Sequence, residues 1–301
     1  MTAVSRHLRL LVPAVPFLWL ALFFLAPFLI VLKISLSDPA SAQPPYRPVL
    51  TELSVGGLRD LAAGLDLENY SALSADDLYA AAALSSVQVA AVSTVLLLAV
   101  GFPIAHAMAR APAAHRPIYV ALVILPFWTS FLIRVYAWIG ILKPEGLLNH
   151  LLLSLGLVAE PLRILNTPVA VLIGIVYAYL PFMVLPLYAS LEKLDPGLLE
   201  AAEDLGATPT KAFWTVTVPL AFPGIVAGAL LCFIPIVGEF VIPDLLGGSE
   251  TLMIGRTLWS EFFSNRDWPL ASAVAIVLLA ILVVPIVLYR DVEARRLEAG
   301  R

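Results

Sequence analysis

DPGLLEAAEDLGATPTKAFWTVTVP, residues 195–219, is the stretch on which the reading of this 301-residue chain turns. It is a polar island between two long apolar runs. Asp195 followed by Pro196 is an N-cap with proline at the first helical position. Leu198, Leu199, Ala202 and Leu205 share one helical face, and Glu200, Glu203 and Asp204 the other. Gly206 suits the left-handed residue just past a helix end. Thr208-Pro209 then caps a second short helix. The stretch predicts a helix–turn–helix element at a membrane surface, with small Ala201 and Ala202 letting another protein approach closely.

The rest of the chain explains why the surface is that of a membrane. It is 60% hydrophobic and 13% charged, with mean hydropathy +0.93. A soluble domain carries roughly a quarter charged residues. A crossing helix needs about 20 mostly apolar residues, and six runs qualify: 10–32, 84–108, 118–142, 169–191, 215–237 and 270–289. A seventh, 147–158, interrupted by Asn149 and His150, has the length of an interfacial or re-entrant helix. Arg6 and Arg9 precede the first run, and Ala40-Ser41-Ala42 resembles a cleavage site. The run is longer than the ~7–15 residues of a leader's apolar region, so it reads as a retained first span.

Lysine and arginine set the direction. With a cytoplasmic N-terminus, the inner segments hold Arg6, Arg9, Arg110, Arg116, Lys193, Lys211, Arg290, Arg295, Arg296 and Arg301, and the outer ones, about twice as long, hold fewer. Both termini are therefore expected inside. The resulting plan is an all-α membrane protein with six transmembrane helices. It has a cytoplasmic N-terminus (1–9), a first span (10–32), a periplasmic loop (33–83), a five-helix core (84–290) containing an inner loop (192–214), and a cytoplasmic tail (291–301). Prolines fall inside nearly every run and predict bends. Gly224 and Gly228 form a G-x-x-x-G face for close helix packing.

Glu200-Ala201-Ala202, three residues, Gly206, nine residues, then Val216-x-Val218-Pro219 resembles the "EAA" loop of ABC importer permeases. The family pattern ends Ile-x-Leu-Pro; here valines hold both aliphatic places and every gap is kept. The resemblance implies a type I (MetI-like) importer permease fold in a bacterial inner membrane. It also implies that the loop docks on a cytoplasmic ABC ATPase dimer and couples hydrolysis to the helices. A second homologous permease subunit and a periplasmic solute-binding protein are the further partners implied. ATP and Mg would be used by the ATPase, with no cofactor on this chain.

Residues 125–142, 238–248 and 253–276 are similar to the putrescine/spermidine branch of that family, although permeases for other amines, opines and amino-acid-like solutes share parts of them. A flexible dication needs carboxylates for its ammonium groups and aromatic faces for its methylenes. Glu239, Asp244 and Glu261 near the outer ends of the last two spans, and Trp128, Tyr136, Trp138, Tyr177 and Tyr179 in the third and fourth, are the candidates for the path. The outer segments are acidic, which would concentrate cations. Arg134 is the charge well inside a span. Such a group must face protein and be paired, and Glu239 lies near its depth, so the two are expected to form a structural or gating pair.

Other chemistries find little support. None of Lys33, Lys143, Lys193 and Lys211 sits in a phosphate-binding loop sequence. Four scattered histidines and Cys232 give no metal-ligand spacing. No nucleophile motif is present, which argues against an intramembrane enzyme. The balance of charge gives no support to nucleic-acid binding. An ion-coupled secondary transporter would carry intramembrane acids and an inverted repeat, neither of which is evident.

Overall fold

The computed structural model describes residues 13–49, 54–248 and 251–299. The expected N-terminal segment 1–9, the start of the first span and residues 300–301 of the tail lie outside them. The fold is helical apart from one small hairpin. In chain order the elements are α1 (Pro13–Ser35), β1 (Asp38–Pro39), β2 (Tyr46–Arg47), α2 (Val55–Ala63), α3 (Glu68–Ala75) and α4 (Asp77–Arg110). They continue with α5 (Arg116–Trp128), α6 (Phe131–Leu142), α7 (Leu147–Ser154), α8 (Pro168–Leu191) and α9 (Gly197–Asp204). Last come α10 (Pro209–Val237), α11 (Val241–Leu246), α12 (Ile254–Trp259) and α13 (Trp268–Ala299).

Among the described residues α1, α4, α8 and α10 are each long and apolar enough to cross a bilayer, and the sharply bent stretch from α5 through α7 passes the same test only when taken together, as a broken span or a re-entrant loop. α13 is apolar over Trp268–Val283 and continues as helix to Ala299, so the tail expected at 291–301 is helical to that residue.

The third predicted span departs from the straight helix its hydropathy suggested. It breaks between Trp128 and Phe131 with a bend of 87°. Pro126 lies in a tightened turn, Leu125–Trp128, and Thr129 is extended at φ −99°, ψ 152°. The Thr129 hydroxyl donates to the Pro126 carbonyl at 2.9 Å. Proline's missing donor and its clash with the preceding turn are thus taken up by a full break.

Other prolines are absorbed more gently. Pro103, Pro181, Pro186, Pro223 and Pro235 sit inside continuous helices. Pro27 and Pro219 each follow a five-residue π turn, at Ala21–Leu25 and Phe213–Thr217. A widened turn before proline relieves the clash with the carbonyl four residues back.

The chain divides into two compact units, Ala82–Arg256, and Met1–Ala81 with Thr257–Arg301. In the first, α8 is the central helix, burying Ile175, Met183, Val184 and Leu187. Its closest neighbour is α10. Cys232 on α10 is fully buried, as a small apolar residue would be. The G-x-x-x-G face makes this contact. A Cβ at Gly224 would lie 2.6 Å from Ser190 Cβ and 2.8 Å from the Pro186 carbonyl oxygen, and one at Gly228 2.8 Å from Met183 Sδ. Gly224→Val forces the two helices apart, and overpacking of this kind costs about 1–3 kcal/mol. The expected result is a lower melting temperature in detergent and less folded protein in membranes.

In the second unit the Ala26–Ser35 part of α1 packs on α13. Most of α1 exposes apolar side chains around its whole girth, Phe17, Leu18, Trp19 and Phe24 among them. A helix apolar on every side and uncovered by protein is solvated by lipid. Segment 33–83, expected as a loop, is more ordered than that. It holds the antiparallel hairpin pairing Asp38 with Arg47, the helices α2 and α3, and the first turns of α4, which starts at Asp77. Buried Asn69 donates to the carbonyls of Ser35 (3.1 Å) and Ser37 (2.8 Å), tying this segment to the end of α1.

Candidate functional site

The 195–219 element folds by the local chemistry its residues carry. Asp195 Oδ1 accepts the Gly197 N–H at 2.9 Å. At the other end of α9, Gly206 adopts φ +83°. Its N–H donates to the Glu203 carbonyl at 2.8 Å, and the Ala207 N–H to the Ala202 carbonyl at 3.0 Å. These two bonds satisfy the helix's last carbonyls and turn the chain. Thr208 Oγ1 then accepts the Lys211 N–H at 3.3 Å, with Pro209 opening the next helix.

Glu200 and Ala201 are exposed and Ala202 is half-buried. Leu205 is 90% exposed. The turn therefore presents an apolar side chain with nothing from its own chain upon it. Val216 and Val218 are half-buried and Pro219 exposed as α10 climbs away.

What lies beneath the turn was not evident in the sequence. Leu199 and Glu203 line clefts shared with His106 and Arg110 of α4. The Phe213 ring meets Phe102 edge-on at 5.5 Å and His106 at 5.7 Å. Phe102 and His106 are one helical turn apart, the spacing that puts two rings on one face. Arg116 bridges to Glu192 at 3.3 Å. The element is thus seated on the end of α4 and continuous with α10.

At the far end of α10 sits Glu239, buried. Its Oε2 accepts the Tyr179 hydroxyl at 2.5 Å. Its Oε1 accepts the N–H groups of Val241 (3.0 Å) and Ile242 (3.3 Å), the first two of α11. The carboxylate is an anchor joining α8, α10 and α11, and its near partner is Tyr179.

The expected pair with Arg134 is not formed. Arg134 on α6 has Nε and Nη1 buried without hydrogen-bond partners, and its guanidinium lies over the rings of Phe127 and Phe131 at 5.3 and 5.8 Å. Equal depth in two helices does not give equal azimuth, and Glu239 turns toward the helix start immediately after it.

The remaining candidates scatter. Asp244 pairs with Arg256 at 3.2 Å, its side chain 51% exposed, and Arg256 also donates to the Gly248 carbonyl at 3.1 Å. Glu261, in the other unit, accepts the Tyr79 hydroxyl (3.1 Å) and the Asn265 amide (2.8 Å). Trp138 and Tyr177 meet edge-on at 5.4 Å. Trp128 and Tyr136 are exposed, Trp128 to 79%. Asp38, Asp66 and Glu68 bring carboxylate oxygens within 4.8 Å of one another, exposed. Sequence spacing had not singled them out.

A family model for the "binding-protein-dependent transport system inner membrane component" matches residues 4–296. The chain belongs to this family. This inner-membrane component is 41% identical to the spermidine/putrescine transport system permease protein PotB of Haemophilus influenzae, over 94% of each chain. It is 44% identical to the protein of that name from Escherichia coli K12, over 74% of this chain and 81% of that one. The inner membrane ABC transporter permease protein YdcU of E. coli is 34% identical over 66% and 68%.

Among solved structures, a bacterial ABC transporter involved in import of the acidic polysaccharide alginate superposes with a TM-score of 0.69 at 18% identity, over 97% of both chains. The same kind of transporter, in complex with an alginate pentasaccharide-bound periplasmic protein, gives 0.70 at 16%, over 98% and 96%. At that identity the likeness is one of fold. The helical membrane architecture is that of ABC importer permeases, as the loop pattern implied.

Proposed function

We propose that this chain is the non-catalytic permease subunit of an ATP-driven importer that carries a polyamine, putrescine or spermidine, across the inner membrane. The observation that carries the reading is its 41% identity to a spermidine/putrescine permease along 94% of both chains, joined to an intact, outward-standing 195–219 element. In this reading the chain crosses the membrane six times with both termini cytoplasmic. Its Glu200–Gly206 turn docks on an ATPase dimer that binds ATP and Mg. A second permease chain completes the path, and a periplasmic binding protein delivers the solute.

Asp244 is the best placed of the candidate path carboxylates, because a half-exposed acid held by one guanidinium can exchange it for a substrate ammonium. Glu261 and the Trp138–Tyr177 ring pair are further path candidates.

The test is uptake by proteoliposomes holding the assembled complex with its binding protein. ATP-dependent accumulation of labelled spermidine or putrescine, competed by the other and not by an opine or a neutral amino acid, is expected. Preference for such a solute would replace the polyamine with that class. Uptake without ATP, driven by an ion gradient through this chain alone, would overturn the importer reading.

A further inference from the structure

Arg134 is a cation without an anion. It faces a cavity of about 620 Å³ between α5, α6, α8 and α10, walled by Phe127, Phe131, Tyr179, Phe182, Leu231 and Pro235. The two phenyl rings attract its charge, but they accept no conventional hydrogen bond from Nε or Nη1, which have no partner. Within a bilayer a half-buried guanidinium faces protein or a wet cavity and as a rule is paired, because hydrocarbon does not replace its hydration.

Among the described residues none supplies that acceptor. None of the six apolar runs contains an Asp or Glu. Glu239, just past the fifth, is engaged by Tyr179 and two backbone amides, and Asp244 is engaged by Arg256. A second copy of the same chain would bring the same acid-free runs. A polyamine would bring only positive charge, which Arg134 repels.

We propose that Arg134 is the docking charge for a second, different permease chain. A helix of that chain fills the groove and presents an Asp or Glu to the guanidinium. This rests on the importer reading, and it adds which face is covered and by what chemistry.

A photo-crosslinking amino acid in place of Leu231, which is 51% exposed on the groove wall, tests it in the intact complex with Arg134 present. The expected adduct is with a different multi-spanning chain, at a peptide carrying an acidic residue within an apolar run. Adducts with lipid only, or with a second copy of this chain, would overturn the proposal.

The charge itself is tested by Arg134→Met and Arg134→Glu, with Arg134→Lys retaining the charge as a check on folding. Removing one member of a buried charge pair weakens association by about thirtyfold or more. Recovery of the second permease with the tagged chain is therefore expected to fall for Met and Glu. It is expected to return when the crosslinked acid is changed to arginine opposite Arg134→Glu. Full recovery of the second chain with Arg134→Met would overturn the docking role. The two readings fail separately. Polyamine uptake that persists in Arg134→Met removes only the docking charge, whereas an unsubstituted complex that crosslinks as expected but takes up no polyamine removes only the substrate assignment.

Discussion

Leu205→Asp lowers ATP-dependent uptake about tenfold or more while leaving the amount and melting temperature of the chain unchanged. The argument is that Leu205 touches almost nothing in its own chain. It is 90% exposed at the end of α9, so a polar replacement removes no packing from the permease. An apolar anchor seated in a partner's pocket behaves differently, because a charge there is desolvated without a counter-ion. The effect should therefore appear only in the assembled importer, as loss of co-purified ATPase and of uptake together. Gly206→Val gives the companion result by another route. At φ +83° a β-branched residue is a backbone outlier, and the left-handed conformation costs about 1–2 kcal/mol without glycine. The turn then reorients, and Leu205 and Glu200 leave the position α9 gives them. Wild-type uptake and full ATPase retention in Leu205→Asp would show that the turn is not the contact with the motor.

That turn was legible because its determinants are local. Asp195-Pro196, Gly206 and Thr208-Pro209 fix helix ends through bonds to residues two to five positions away, and each bond is found where the sequence puts it. Hydropathy identified the apolar runs for the same reason, since it sums over neighbours. The break at Thr129–Ser130 escaped it. Pro126 gives no more warning than Pro181 or Pro223, which lie in continuous helices, and the difference depends on what packs around each. Segment 33–83 was read as a loop because its short helices bury little and are held by non-local bonds such as those from Asn69 to Ser35 and Ser37. The partner of Glu239 was missed through azimuth. Depth can be counted along a helix, but which neighbour a side chain meets depends on rotation about two helix axes and on α11 beginning two residues later.

Glu239→Leu, Tyr179→Phe and Glu239→Gln are expected to destabilise the chain in that order, and the order separates an anchor from a substrate ligand. Glu239→Leu leaves three buried donors without an acceptor, the Tyr179 hydroxyl and the N–H groups of Val241 and Ile242. Each such group costs about 1–3 kcal/mol when orphaned. Tyr179→Phe removes one donor and leaves the carboxylate its two amides, at a cost of about 1.5–3 kcal/mol for a bond to a charged group. Glu239→Gln keeps an oxygen for the amides of α11, while its new N–H₂ can donate to a Tyr179 hydroxyl that rotates to accept, so the loss is the smallest. The double variant Tyr179→Phe/Glu239→Leu should lose less than the sum of its parts, because both changes break one bond. Thermal unfolding in detergent reads all four, and uptake should follow stability. A carboxylate whose task was to hold a substrate ammonium would give another pattern. Glu239→Gln would then raise the KM for polyamine sharply with no change in melting temperature, and Tyr179→Phe would be close to silent. That outcome would return Glu239 to the path and leave α11 to be held by something else.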